Sequence, residues 1–240
     1  ANEEQAITVA YTHTVQSDNP QYSKGLKTLL VVPICPRADQ SQQECLNSFD
    51  NLHLVKNEHN KDIQGYLREM VAYANRHFKT ASWDQLELQA TYLSTIQINY
   101  KASKCLSYNE LGYFSGDPDA IDMMTYKELN DKGIDAHKDY DFHVIVRPKC
   151  CEDGRCWSGG IAWVGAVGAM LHLSGWSYDA ALTHELGHNF GMKHASIFKK
   201  GQRGRAIWQA GSMRDSVSLG HDEYGNPFDV MGDGVPDNGD

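Results

Sequence analysis

The sequence predicts one mixed α/β domain, because apolar strand-like runs alternate along the chain with amphipathic helical segments. Two further observations agree with this fold class. The length of 240 residues suits one large domain, and a content of 41% hydrophobic and 22% charged residues is typical of a folded globular protein. No internal repeat or low-complexity linker divides the chain, so residues 1–240 are treated as a single domain.

The first half of the chain contains two predicted strand regions and one predicted helix. Residues 26–34, LKTLLVVPI, form an apolar run typical of a buried strand, and a polar, glutamine-rich segment follows at 39–48. Residues 62–78 carry apolar side chains at helical spacing after an aspartate that can cap a helix. β-branched and aromatic residues over 86–98 indicate a strand or a hairpin.

The second half continues the alternation of helices and strands. Residues 119–134 predict a helix that ends at Gly133, and residues 140–148, YDFHVIVRP, predict a short strand that ends at a proline. A glycine-rich apolar stretch, 157–175, then leads to a further helix with Ser177 as its N-cap.

Charge and hydropathy exclude two classes of partner. A formal net charge of −9 argues against nucleic acid, since phosphate binding requires a basic surface. The longest nearly apolar run, IAWVGAVGAML, is too short for a membrane span and is interrupted by glycine. The start, ANEEQAITVAYTHT, has no basic and apolar leader, as expected of an already processed chain or of an engineered one.

The cysteines predict an oxidising compartment. Their number is even and none forms a CxxC pair, which favours three disulfides over buried free thiols and argues against a zinc finger. The connectivity does not follow from the spacing; Cys35 with Cys45 is the nearest candidate pair. The six are Cys35, Cys45, Cys105, Cys150, Cys151 and Cys156.

The segment HELGHNFGMKH carries the chemistry of the chain. His184 and His188 are four residues apart, so a helix places them on one face, where two neutral imidazoles can hold one Zn²⁺. Glu185 lies next to the first of them and can reach a zinc-bound water as a general base. Gly191 can adopt positive φ, end the helix and return the chain so that His194 becomes the third ligand.

The remaining residues of this helix support a catalytic rather than a structural zinc site. Leu182, Leu186 and Phe190 form an apolar stripe on the other side, which can bury. Gly187 costs about 1 kcal/mol relative to alanine inside a helix, so we predict close packing at this position. Structural zinc sites usually have four protein ligands, and no fourth is evident, which leaves one position open for water.

HELGHNFGMKH matches the H-E-x-x-H-x-x-G-x-x-H signature of the metzincin clan of zinc endopeptidases. The clan has a methionine-containing Met-turn beneath the zinc, and Met231 of FDVMG resembles it, an ordinary core methionine being the alternative. The gametolysin-like family is similar around the zinc helix and the Met-turn, in LTHELGHNFGMKHAS and EYGNPFDVMG. Three upstream stretches also resemble strand segments of that family and follow in the same order: SWDQLELQA, YDFHVIVRP and GIAWVGAVGAMLHLSG. This resemblance covers most of residues 62–233.

The resemblance implies a metzincin-like zincin fold. A twisted mixed sheet with an antiparallel edge strand lies over the zinc helix, with the Met-turn below. The upper subdomain then covers about 1–191 and a short lower subdomain about 192–240. Relatives continue past the Met-turn into a C-terminal helix, so the sequence leaves open whether the chain extends beyond Asp240. An edge strand binds substrate through its main chain. We expect it in AMLHL, with a buried core strand as the alternative: Ala169, Met170, Leu171, His172 and Leu173.

The same resemblance implies a secreted, monomeric zinc endopeptidase that hydrolyses internal peptide bonds of proteins through a zinc-bound water activated by Glu185. An inhibitory propeptide is expected to have been removed. Asp233 stands where some metzincins have a tyrosine that reaches the zinc, so the donor to the oxyanion is unassigned. Two rival functions stay open: a catalytically idle zinc-binding module, and a zinc hydrolase of non-peptide amides.

Other polar residues receive structural interpretations. The tail spaces Asp233, Asp237 and Asp240 like parts of a calcium loop but lacks the full pattern, so a solvated acidic terminus is preferred over a Ca²⁺ site. Four scattered histidines show no ligand spacing and are expected at the surface or hydrogen-bonded in the core: His59, His77, His143 and His221.

Overall fold

The computed structural model describes residues 24–37, 41–50, 63–99, 118–148, 150–152, 155–157, 159–173, 180–195, 197–198, 221–222 and 229–232. In chain order, the strands are β1 (Gly25–Pro36), β2 (Leu86–Tyr92), β3 (Ile96–Ile98), β4 (Phe142–Pro148), β5 (Cys150–Glu152), β6 (Arg155–Trp157), β7 (Gly159–Ala162), β8 (Gly168–Leu173), β9 (Ile197–Phe198) and β10 (His221–Asp222). The helices are α1 (Gln42–Asp50), α2 (Ile63–Ala81), α3 (Pro118–Asp131), α4 (Ala136–Asp139) and α5 (Ala180–Asn189). The predicted mixed α/β architecture is confirmed.

The main sheet is mixed, with the order β2-β1-β4-β8-β7 and with β3 also paired to β1. β1 is parallel to β2, β3 and β4, and β4 is parallel to β8. The hairpin alternative for residues 86–98 is wrong, because β2 and β3 pair one after the other with β1 and not with each other. Composition indicates that a segment is extended but not which strand it pairs with.

The segment expected to form the edge strand lies inside the sheet instead. Residues 169–173 belong to β8, which lies between β4 and β7 and is therefore interior to the sheet. Its apolar character reflects this position, with Ala169 and Leu171 buried. Within the described ranges, the strand that ends the sheet on this side is β7, and it is antiparallel to β8.

Each face of the sheet contributes to its own hydrophobic core. On one face α2 and α5 pack against alternate residues of the strands, such as Leu29, Val31 and Val144. On the other face α3 and α4 cover the intervening residues, such as Leu30 and Ile145. Burial on both faces explains why the central strands are nearly continuous apolar runs. The active-site helix predicted from the sequence, α5, thus belongs to the first core.

Helix α1 occupies the segment that the sequence indicated only as polar. Ser41 and Glu44 form a capping box: the Glu44 backbone N–H donates to Ser41 Oγ at 3.2 Å, and the Ser41 N–H donates to Glu44 Oε2 at 2.7 Å. The disulfide between Cys35 and Cys45 ties α1 to the end of β1 and confirms the predicted nearest pair. The side chains of the other four cysteines lie outside the described part of the structure.

Besides α1, the short strands β5, β6, β9 and β10 and the helix α4 have no counterpart in the sequence-based predictions. β5 and β6 form a short antiparallel hairpin, in which Cys151 lies opposite Cys156 in the backbone register.

In the described part of the chain, none of the helices combines the length and apolar character needed to cross a membrane.

Candidate metal centre

Helix α5 is anchored by its apolar stripe. Leu182, Leu186 and Phe190 are buried in the core beneath the sheet, as predicted. The Phe190 ring packs edge-on against Phe78 of α2 and Phe142 of β4, with ring centroids 4.8 and 4.9 Å apart. These contacts fix the rotation of α5 about its axis, and hence the direction in which its histidines point.

The helix ends in the way the sequence predicts. Gly191 has a φ of 93°, in the left-handed region that favours glycine. The Met192 N–H donates to the Gly187 carbonyl at 2.9 Å, and the Gly191 N–H donates to the His188 carbonyl at 2.8 Å. This is the hydrogen-bond pattern of a Schellman motif. It reverses the chain and brings His194 back beside the helix.

Three imidazoles meet at this reversal. Each of His184, His188 and His194 offers one ring nitrogen, and these atoms lie within 4.8 Å of one another. The Nε2 atoms of His188 and His194 are 3.1 Å apart. Two nitrogen ligands of a tetrahedral zinc ion are about 3.3 Å apart, and imidazole is a preferred zinc ligand. The donor set therefore fits one zinc ion.

Backbone carbonyls set the tautomer of two of the rings. The Nδ1–H of His184 donates to the Val230 carbonyl at 2.8 Å, and the Nδ1–H of His188 donates to the Met192 carbonyl at 2.9 Å. Nε2 of each neutral ring is then left with its lone pair available for a metal. Burial lowers the pKa of both His184 and His188, which favours the neutral rings that metal binding requires.

Residues 229–232 form a tight turn against α5. The Gly232 N–H donates to the Asp229 carbonyl at 2.8 Å, and the Met231 N–H donates to Asp229 Oδ1 at 2.9 Å. Met231 is buried, and a Cβ built on Gly187 would overlap its Sδ atom. The close packing predicted at Gly187 is thus observed, and its partner is this methionine.

Glu185 lies on α5 beneath the edge strand of the sheet. Its side chain is buried, with 5% of the residue surface exposed. Burial raises the pKa of its carboxyl group to about 8. A dication held by the neighbouring histidines would favour the ionised carboxylate. The side chain packs directly against Gly160 of β7.

The turn between β7 and β8 is fastened to the end of α5. The Gly165 N–H donates to the His188 carbonyl at 2.8 Å, and the Asn189 side chain donates to the Gly168 carbonyl at 2.9 Å. The sequence-based predictions include neither Asn189 nor Gly160. Neither residue can be recognised from a local sequence pattern, because each contacts a segment more than twenty residues away in the chain.

The structure places two of the scattered histidines away from this centre. His143 is buried on β4, where its Nε2 is hydrogen-bonded to Tyr126 Oη at 2.5 Å, and His77 is half-buried on α2. The core interpretation of His143 is therefore confirmed. His59, the Ser177 cap and the tail aspartates lie outside the described residues, and so does the side chain of His221.

The three-histidine group fits a site for a single zinc ion. The family model described as metallo-peptidase family M12B, reprolysin-like, matches residues 64–195, more than half of the chain. The chain belongs to this family of metallopeptidases, in agreement with the metzincin-type resemblance.

No curated protein matches the chain significantly. Among solved structures, one entitled "Structure of a chaperone-substrate complex" is similar with a TM-score of 0.44 and 16% sequence identity, over 75% of this chain and 26% of that one. The chain thus spans about a quarter of that protein's length.

Proposed function

We propose that this chain is a zinc-dependent endopeptidase in which His184, His188 and His194 hold one zinc ion and Glu185 is the general base. The observation that carries the proposal is the convergence of three imidazoles within 4.8 Å, next to a buried carboxylate, in a chain of family M12B. Three protein ligands leave the fourth position of a tetrahedral zinc ion open for chemistry.

The catalytic roles of zinc and Glu185 follow from the positions of these groups. Zinc, when bound, supplies a Lewis acid for the scissile carbonyl and the attacking water. Glu185 takes a proton from the water as it attacks and passes it to the leaving amine. Beside a bound dication its carboxylate would be ionised, so it can accept that proton and hold it between the two steps.

We propose β7 as the strand along which substrate binds. In the described part of the sheet, its outer side has no neighbouring strand, so its main-chain groups can pair with an extended peptide. Its Gly160 packs against Glu185, so a peptide on this edge passes close to the general base. A binding edge favours internal cleavage, because the peptide can extend on both sides of the zinc.

The finer features of the proposal rest on separate observations. The buried Met231 in a tight turn against α5 supports its assignment as a Met-turn. The disulfide between Cys35 and Cys45 supports secretion, since disulfides persist in oxidising compartments. The likeness to gametolysin-like peptidases rests on the quoted sequence stretches. A single domain over 1–240, a monomeric state and a removed propeptide complete the proposal.

The test is a cleavage-site profile by mass spectrometry on a library of peptides from denatured proteins. The expected result is internal cuts that disappear with a chelator and return when zinc is added. Protein shown to hold one zinc ion per chain but making no cuts would instead indicate a binding module. Hydrolysis confined to small amides would indicate the non-peptide hydrolase. A Glu185→Gln variant, treated identically, controls for contaminating peptidases.

A further inference from the structure

Gly160 of β7 occupies a position where a Cβ atom would overlap a neighbouring side chain. A Cβ built there would overlap Glu185 Cγ and lie 2.5 Å from both Cδ and Oε1 of the same side chain. The three nearest atoms thus all belong to Glu185. The φ of Gly160 is outside the positive range, so its backbone conformation is open to other residues. Packing against Glu185, rather than backbone geometry, therefore requires glycine here.

We propose that Gly160 is a positioning residue for the Glu185 carboxylate: its missing side chain leaves the slot between β7 and α5 in which the carboxylate lies. This inference rests on the proposed role of Glu185 as general base. Glu185 leaves α5 toward the edge strand, and the bare backbone at Gly160 lets strand and carboxylate approach closely. The same strand segment then both pairs with substrate and limits where the base can move.

The neighbouring strand provides a matched comparison. A Cβ on Gly168 of β8 would lie 2.5 Å from Nε2 and 3.0 Å from Cε1 of His143, another buried titratable side chain. Gly168 also lacks positive φ. Gly168→Ala therefore introduces a similar overlap in the same sheet without touching Glu185. It separates the general cost of a crowded glycine from the specific effect on the base.

The first experiment is a double-mutant cycle measured by thermal unfolding of the metal-free protein. We expect Gly160→Ala to lower the Tm by roughly 5 °C through overpacking. Most of that loss should vanish in a Glu185→Ala background, because this substitution removes Cγ, Cδ and Oε1. The loss caused by Gly168→Ala should be the same in both backgrounds. Additive losses for residues 160 and 185 would overturn the proposal.

The cycle decides the question even if Gly160→Ala does not fold alone. Recovery of folding in the Gly160→Ala/Glu185→Ala double variant would support the proposal. A double variant that is still unfolded would show that a side chain at 160 collides with something else, and would overturn it.

The second experiment measures kinetics of the zinc-loaded variants. A displaced base lowers kcat, and we expect a loss of roughly 10- to 100-fold for Gly160→Ala. KM should stay within about 2-fold, because the main-chain groups of β7 are retained. Zinc content should equal that of the parent, and Gly168→Ala should keep its kcat. A rise in KM at unchanged kcat would show that the substitution disturbs substrate pairing but not the base, and would overturn the proposal.

The two experiments separate this inference from the proposed function. If Glu185→Ala keeps the parental kcat, the assignment of the general base is wrong. The unfolding cycle nevertheless reports on the packing of residue 160 against residue 185, since it needs neither zinc nor substrate.

Discussion

The Sδ atom of Met231 fills the space beside Gly187 in which a side chain would otherwise lie. Two segments more than forty residues apart in sequence are therefore in direct contact. In an exposed helix, Gly187→Ala would be stabilising by about 1 kcal/mol. Here overpacking costs about 1–3 kcal/mol, so we expect a net loss of about 1 kcal/mol in the free energy of unfolding. Urea titration of parent and variant measures it.

The matched variant for this prediction shortens the methionine. The double variant Gly187→Ala/Met231→Ala should lose less free energy of unfolding than the two single variants lose together, because the overlapping Sδ atom is then absent. A Gly187→Ala protein more stable than the parent would contradict the contact.

Glu185→Gln should separate metal binding from turnover. The substitution keeps the shape of the side chain but removes its basicity, so we expect kcat to fall by about 10²- to 10⁴-fold. Zinc content, measured by atomic absorption, should remain one ion per chain, because the three imidazoles are unchanged. Peptide cleavage at the parental rate would exclude Glu185 as the base.

His194→Ala should abolish tight zinc binding. Changes to groups that merely orient a ligand cost 10- to 100-fold in affinity, so loss of one of three ligands should cost more than about 100-fold. His137→Ala is the control, since His137 is an exposed histidine on α4 and not part of the group. Competition with a fluorescent chelator measures both variants. Equal zinc affinities for the two would show that His194 does not bind the metal.

Stability should fall in acid partly because of His143. Burial, and then the nearby His137, lower the pKa of His143 from 6.5 to about 4. Above pH 6.5 the ring is neutral whether the chain is folded or unfolded. As the pH falls from 6.5 to 4, the unfolded chain takes up the proton first, which removes about 3 kcal/mol of stability.

Urea unfolding of the metal-free protein between pH 4 and pH 7 tests this. His143→Gln lacks the titrating group, so its stability should fall by about 3 kcal/mol less than that of the parent over this range. The difference between the two proteins removes the contribution of the histidines that titrate alike in both. Parallel curves for the two proteins would show that His143 has an ordinary pKa when folded.

Local patterns predicted the centre better than they predicted the sheet. The spacing of His184 and His188 and the stop at Gly191 depend only on helix geometry, so they could be derived from eleven residues. The capping box of Ser41 and Glu44 is equally local and predicts the start of α1, although the segment was interpreted only as polar.

Long-range relationships were less accessible. The apolar segment of β8 suits an interior or an edge position equally, and only its pairing with both β4 and β7 distinguishes them. The acceptor for His184, the Val230 carbonyl, lies 46 residues away and carries no sequence signal, because every residue has a carbonyl. The need for glycine at Gly160 likewise depends on where Glu185 lies in space.

The turn at residues 229–232 also determines when the centre can be completed. Val230 accepts from the ring of His184, and the Met231 carbonyl accepts from the Ala195 N–H just after the last histidine, at 2.8 Å. During synthesis, all three histidines emerge at least 35 residues before this turn. A nascent chain can therefore form the helix and its reversal early, but the histidines are held rigidly only once the turn has docked against them. The final ordering of the three histidines therefore waits until residues 229–232 have been synthesised and have docked.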